Sequence, residues 1–268
     1  MDLQGARLAL GELAQSSTVA TGTVRLELTG PVAELWLDHP RPGIAVTENM
    51  MVELADAVLA LRAWSGAALM VRSAGERAFC AGGHLKDVRQ VIDAPERART
   101  MALAMGATLD ALLDLPVTSV AAVHGLAVGG GAELLTAVDY RAFGPGGRVH
   151  FVHGQLGIAP GWGGTGRLVH HIGRARALGV LHQASCLGPG EAESCGLASV
   201  VGPDAHTAAL EALEPVLSIP TAAARALKRQ VAAARPRRDL AAEADAFAAV
   251  WGGPDHQAAL SRLVRHTR

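Results

Sequence analysis

The stretch VTSVAAVHGLAVGGGAELL, residues 117–135, decides how the rest of the chain is read. Residues 117–123 are short and largely apolar, the pattern of a strand covered on both faces. Gly129, Gly130 and Gly131 break that run, and AELL opens a helix. Glycine after a strand lets backbone N–H groups approach a ligand with no Cβ in the way. The helix start adds partial positive charge at the same place.

The same order recurs along the chain. AALMV (67–71) is a buried strand, AFCAGGHLKDV (78–88) a second glycine loop, and a helix follows over about 96–114, ending before Pro116. RVHFV (148–152) reads as a strand, GGTGRLVHHIG (163–173) as a helix start and ASVVG (198–202) as a last strand. Upstream, TVRLEL (23–28) alternates apolar and polar residues and pairs with VAELWL (32–37) across a Thr29-Gly30-Pro31 turn. Thr47 caps a helix running to about Trp64, with Leu54, Val58 and Leu61 on one face. Strand, glycine loop and helix in repetition define an α/β protein of successive ββα-like turns.

After Pro203 the pattern is helical, with segments over 205–217, 221–234, 239–250 and 255–266 separated by Pro220, Pro236 and Gly252-Gly253-Pro254. The chain thus divides into an N-terminal extension (1–21), a core (22–203) and a C-terminal helical region (204–268). Ala-rich helices of that kind pack on their own core or on a neighbouring subunit, so an oligomer is expected.

Bulk composition narrows the partners. The chain has 268 residues, half of them apolar, and a net charge of −1. That supports a sizeable core and gives no reason to expect nucleic acid or an anionic membrane as partner. Three cysteines without a C-x-x-C pair argue against a disulfide framework or zinc knuckle and for a reducing compartment. The N-terminus lacks the apolar core of a signal peptide, and no apolar run reaches the ~18 residues of a membrane span. A soluble, cytoplasmic protein is expected.

Two glycine loops converging could aim two N–H groups at one developing oxyanion. Phosphate binding fits less well. Neither loop has the G-x-x-x-x-G-K-[ST] or G-x-G-x-x-G pattern, and Glu133 would repel a phosphate.

AFCAGGHLKDV, VAAVHGLAVGGGAELLTAVDYR (120–141) and LGIAPGWGGTGRL (156–168) together resemble, in order and spacing, the three motif blocks of the crotonase superfamily of enoyl-CoA hydratase/isomerase-like proteins. The resemblance covers roughly residues 22–265. It implies a ββα spiral core, a C-terminal helical region used in trimer formation, and acyl-CoA thioesters as substrates, with no further cofactor and no metal. It places the oxyanion-hole N–H groups on Gly83 and Gly130 and an acid/base carboxylate on Glu133. Ala81, His84 and Lys86 fall in the loop that borders the acyl-CoA, and Trp162 in the acyl pocket wall.

One departure matters. A hydratase uses two carboxylates, one to activate water and one to deliver a proton. In the resemblance the second stands four residues before Gly157, and that position is His153. Losing half of the pair should cost on the order of 10²-fold in hydration. Decarboxylating a malonyl-type thioester needs an oxyanion hole but no C–H proton abstraction. Histidine can orient a carboxylate and carry a proton near neutral pH. RVHFVHGQLGIAPGWGGTGRLV (148–169) and VWGGPDHQAAL (250–260) look most like the ethylmalonyl-CoA decarboxylase branch, which implies a 2-alkylmalonyl-CoA substrate and catalytic roles for Glu133 and His153. His84 departs from that branch, standing where an aspartate is usual. The rival readings are a hydratase or double-bond isomerase with Glu133 as single acid/base, with CoA or a carrier protein presenting the thioester, and a non-catalytic acyl-thioester-binding subunit. The assembly implied is a homotrimer or a dimer of trimers.

The remaining candidates have plainer readings. His150 and His153 should face opposite sides of a strand, so a shared metal site is not expected. His170 and His171 read as surface or interface residues, and Asp139 and Tyr140 as packing or capping residues. Cys80 has no base near it in sequence and is not expected to be a nucleophile.

Overall fold

The structure is a computed structural model that describes residues 1–15, 21–40, 43–84, 92, 94–234 and 239–266. Among these, three successive turns share one plan. Strand β4 (Ala68–Ser73) is followed by β5 (Ala78–Cys80), a two-residue strand β6 (Gly82–Gly83) and helix Pro95–Leu113. Strand β7 (Thr118–Val123) is followed by β8 (Leu126–Val128) and helix Gly130–Leu135. Strand β9 (Tyr140–Phe143) is followed by β10 (Arg148–His150), a 3-10 turn over Val152–Leu156 and helix Gly164–Ile172.

The first strand of each turn enters one sheet and the second enters another. With β1 (Thr23–Glu27), β2 (Val32–Asp38) and β12 (Val200–Val201), the first sheet has the order β1-β2-β4-β7-β9-β12. The second has the order β11-β10-β8-β5, with β11 at Cys186–Leu187. Only the hairpin β1–β2 and the edge pair β10–β11 are antiparallel among the pairings described. This is the α/β ββα spiral expected from the sequence. The central strands are covered on both faces, as their uninterrupted apolar runs require. Residues of β4 and β7 such as Leu69, Val71, Val120 and Ala121 are almost wholly buried. Strand β2 instead alternates, and its outer Trp36 carries Arg72 over its ring at 4.1 Å.

The helices follow from their sequences. Thr47 accepts a hydrogen bond from Met50 N and starts helix Glu48–Ala63, which buries Leu54, Val58 and Leu61. Residues 1–21 contribute helix Leu3–Ala14, whose Leu3, Ala6, Leu10 and Leu13 face helices Glu48–Ala63 and Pro95–Leu113. Helix Ala205–Leu217 covers the far face of the first sheet, with Ala208, Ala209 and Leu213 against Met70, Val120 and Ala142. Helices Thr221–Ala233, Leu240–Val250 and Pro254–His266 complete the C-terminal region. No helix among the described residues is long and apolar enough to cross a membrane.

One local expectation is corrected. RVHFV does not continue as a strand, because β10 ends at His150 and the chain tightens into the 3-10 turn. His153 therefore stands on that turn, and its separation from His150 is a change of element rather than of strand face. The helix begun by Gly130 runs to Leu135, with Thr136 as its cap. The basic run Arg235 to Arg238 lies outside the described residues.

Glycine 131 is where the turns press closest, since a Cβ there would sit 2.1 Å from Cys80 O. Gly131→Ala should destabilise the fold by about 3 kcal/mol through overpacking against rigid backbone. Gly11→Ala, within helix Leu3–Ala14 and facing open space, should stabilise it by about 0.5–1 kcal/mol. Urea unfolding of both variants checks the opposite signs.

Candidate active site

The two glycine loops meet. Strand β6 pairs with β3 (Ala45–Val46), which presents Gly82 to the second loop, and a Cβ on Gly82 would lie 2.8 Å from Gly130 N. Gly82 has φ +82°, in the left-handed region where glycine is favoured. Gly130 is the first residue of its helix, so its N–H has no intrahelical acceptor.

Glu133 lies one turn further along that helix and is 1% exposed. Its carboxylate reaches across to the loop that opens helix Gly164–Ile172. Oε1 accepts from Gly161 N at 3.1 Å, and Oε2 accepts from Trp162 N at 2.7 Å and Gly164 N at 2.8 Å. Nε2 of His153 is the fourth partner, 3.2 Å from Oε1. Burial alone would push the Glu133 carboxyl pKa up. The His153 hydrogen bond and charge, the Arg167 charge and the Trp162 N–H outweigh it, and the group is held below the usual carboxylate range.

An ionised carboxylate only accepts, so Nε2 of His153 carries the hydrogen in this contact. The other ring nitrogen, Nδ1, is buried and has no hydrogen-bond partner. It belongs to a side chain lining a cavity of about 230 Å³. Ala81, Gly83, Gly130, Glu133, His153 and Trp162 all line that cavity, so six residues expected at the site from sequence are brought together. The rest of the wall is mainly apolar, from Met101, Val152, Leu156, Ile158, Phe247 and Trp251.

Two expected residues are not among them. Lys86 lies outside the described residues. His84 does not line this cavity. Its backbone N–H donates to Val46 O at 2.8 Å, and its ring is buried beside His39, with centroids 6.0 Å apart. His171 is half-buried: its Nε2 pairs with Thr136 O at 2.9 Å, and its pKa is pushed down to about 3, chiefly by burial and then by the Arg141 charge. The Cys80 thiol is pushed up to about 12 by burial, which removes it as a nucleophile at neutral pH.

Arg167 was not singled out by the sequence reading. It is fully buried and donates to Thr136 Oγ1 at 2.9 Å, Asp110 Oδ1 at 2.9 Å and Trp162 O at 2.5 Å. It thus braces the Gly161–Gly164 loop from behind and sets a positive charge near Glu133. The available signal was a lone charge beside Leu168 in a glycine-rich helix start.

Among the described residues no cluster of His, Cys, Asp and Glu could hold a metal ion. A larger cavity, about 490 Å³, lies between Asp139, Lys228 and the C-terminal helices. Its cation is already paired, Lys228 with Asp139, and no group there matches the free nitrogen of His153.

The chain belongs to the enoyl-CoA hydratase/isomerase family, whose model it matches over residues 27–260. Within that class its relatives include proteins named ethylmalonyl-CoA decarboxylase. The one from Xenopus tropicalis is 34% identical over 253 residues, covering 91% of this chain and 84% of that protein. The one from Gallus gallus is 38% identical over 237 residues, covering 85% and 79%. A crystal structure of a putative enoyl-CoA hydratase from Streptomyces avermitilis superposes with a TM-score of 0.80 at 22% identity, covering 93% of this chain and 92% of that one. It shares the fold.

Glu133→Gln should lower stability at pH 7 by about 3 kcal/mol, because an amide NH2 cannot accept from the buried N–H groups. A carboxyl with a depressed folded pKa stabilises above its unfolded value, near pH 4.3, and loses that contribution as pH falls through the folded value. The gap between wild type and Glu133→Gln should therefore close on acidification below pH 4. Urea melts at pH 7, 5 and 3 test this, and a gap that stays constant would contradict it.

Proposed function

We propose that this protein decarboxylates a 2-alkylmalonyl-CoA of the ethylmalonyl or methylmalonyl type. The observation that carries the reading is the pairing of Glu133 with His153. The carboxylate of Glu133 holds four hydrogen-bond donors and has little capacity left to activate water, while His153, whose Nδ1 is buried without a hydrogen-bond partner, lines the cavity beside it. The named relatives point the same way.

The chemistry follows from charge. The bond from C2 to the leaving carboxylate breaks, CO₂ departs, and the electron pair moves through C2–C1 onto the thioester oxygen as an enolate. The apolar wall disfavours the buried carboxylate of the substrate, and loss of neutral CO₂ relieves that cost. The N–H groups of Gly83 and Gly130 form the oxyanion hole that receives the charge. His153, protonated, gives a proton to C2 and is recharged from solvent, so each turnover consumes one proton. Glu133 fixes the ring through Nε2.

The reaction needs no resident cofactor or metal in this scheme. The thioester carrier is taken to be CoA, as the family suggests, with a carrier protein as the other source. We also take the working form to be a cytoplasmic homotrimer or dimer of trimers. Leu227 and Val231, 56% and 69% exposed on one C-terminal helix, support association.

Ethylmalonyl-CoA and methylmalonyl-CoA should yield CO₂ with butyryl-CoA and propionyl-CoA. His153→Ala should lose at least about 10²-fold in kcat. No CO₂ release from either substrate sinks the reading. Hydration of crotonyl-CoA that survives His153→Ala but not Glu133→Gln would favour the hydratase alternative. Tight acyl-CoA binding without any turnover would favour a binding subunit.

A further inference from the structure

We infer that Phe247 and Trp251 form the wall that sets the size of the 2-alkyl group, making the cavity selective for short substituents. This rests on the decarboxylation reading for its substrate series, but the wall itself is argued from geometry.

The carbon that loses CO₂ must lie in the cavity that His153 shares with Phe247 and Trp251. Gly161 donates to the same Glu133 Oε1 that Nε2 of His153 touches, at 3.1 Å. A Cβ on Gly161 would lie 2.8 Å from the Phe247 ring, so the missing side chain is what lets the phenyl ring approach the pair. Phe247 is 3% exposed and stacks on Trp251 with centroids 5.1 Å apart. Any extension of the substituent in this direction meets two aromatic rings in succession.

The wall is built to stay in place. Trp251 Nε1 donates to Ile92 O at 3.0 Å, and its other side packs on His256 with centroids 4.6 Å apart. His256 is fixed by Gly252 N, which donates to its Nδ1 at 3.0 Å. A ring held by a hydrogen bond and two tilted ring contacts resists swinging aside to admit a longer chain. The cavity of about 230 Å³ is also below the ~300–1,000 Å³ of pockets that take drug-sized ligands, so it suits an acyl group alone.

The test is a chain-length series of methylmalonyl-, ethylmalonyl- and butylmalonyl-CoA with wild type, Trp251→Ala and Phe247→Leu. Wild-type kcat/KM should be at least about tenfold lower for butyl than for ethyl. Trp251→Ala should shrink that ratio by about tenfold or invert it, through a gain on the butyl substrate. Phe247→Leu should shift it the same way and carries the test if Trp251→Ala fails to fold. A ratio unmoved in the folded variants overturns the inference. Calorimetric binding of butyryl-CoA and octanoyl-CoA keeps the two readings separate. If wild type turns over no malonyl thioester, the function fails, while a wild-type preference for butyryl-CoA that Trp251→Ala abolishes still supports the wall. Equal wild-type affinity for both overturns it.

Discussion

The carboxylate of Glu133 ties together three parts of the chain that are remote in sequence. It leaves helix Gly130–Leu135, accepts three N–H groups from Gly161, Trp162 and Gly164, and holds Nε2 of His153. A buried carboxylate survives only when its lone pairs are occupied and its charge is balanced, and here both conditions are met locally. Arg167 completes the arrangement from the far side, gripping Trp162 O and drawing its own balance from Asp110. Charges alternate from Asp110 through Arg167 to Glu133, which in turn holds the His153 ring. Removing one member leaves its neighbours uncompensated in a medium that penalises them.

That arrangement separates two kinds of chemistry available to one fold. Hydration asks a carboxylate to gain and lose a proton, which requires free lone pairs and a pKa near the working pH. Glu133, saturated with donors and held ionised, is a fixed charge. In the proposed reaction the exchangeable proton is assigned to the imidazole it orients. A malonyl-type thioester already carries the electron pair that a hydratase or isomerase would have to generate by deprotonation. Such a substrate asks for a sink for that pair and for one proton donor.

Much of the scaffold was legible in the sequence because its signals are local. The uninterrupted apolar runs of β4 and β7, the cap at Thr47 and the proline breaks between the C-terminal helices each follow from short-range sterics and hydrogen bonding. The glycine loops and the substituted position at His153 were legible through motif order. What escaped depends on contacts distant in sequence. Nothing near Arg167 announces Asp110, which lies 57 residues away. The packing of Phe247 depends on Gly161, and the ring contact of His84 is with His39, which comes from a segment distant in sequence. The 3-10 turn at Val152–Leu156 escaped because VHFV has strand propensity, whereas the Gly157 left-handed cap and the return to Glu133 favour a tight turn.

The spiral alternation of strands between two sheets has a consequence for how such a protein can change. Each ββα turn delivers one separable component: the first loop from one turn, the second loop and Glu133 from the next, and His153 with the Trp162 loop from the third. Because the sheets carry the load of folding, a component can be exchanged at a turn's end while the other turns keep their shape. The architecture thus gathers contributions from three separate turns at one cavity, so the residues that line it sit at turn ends rather than inside the sheets.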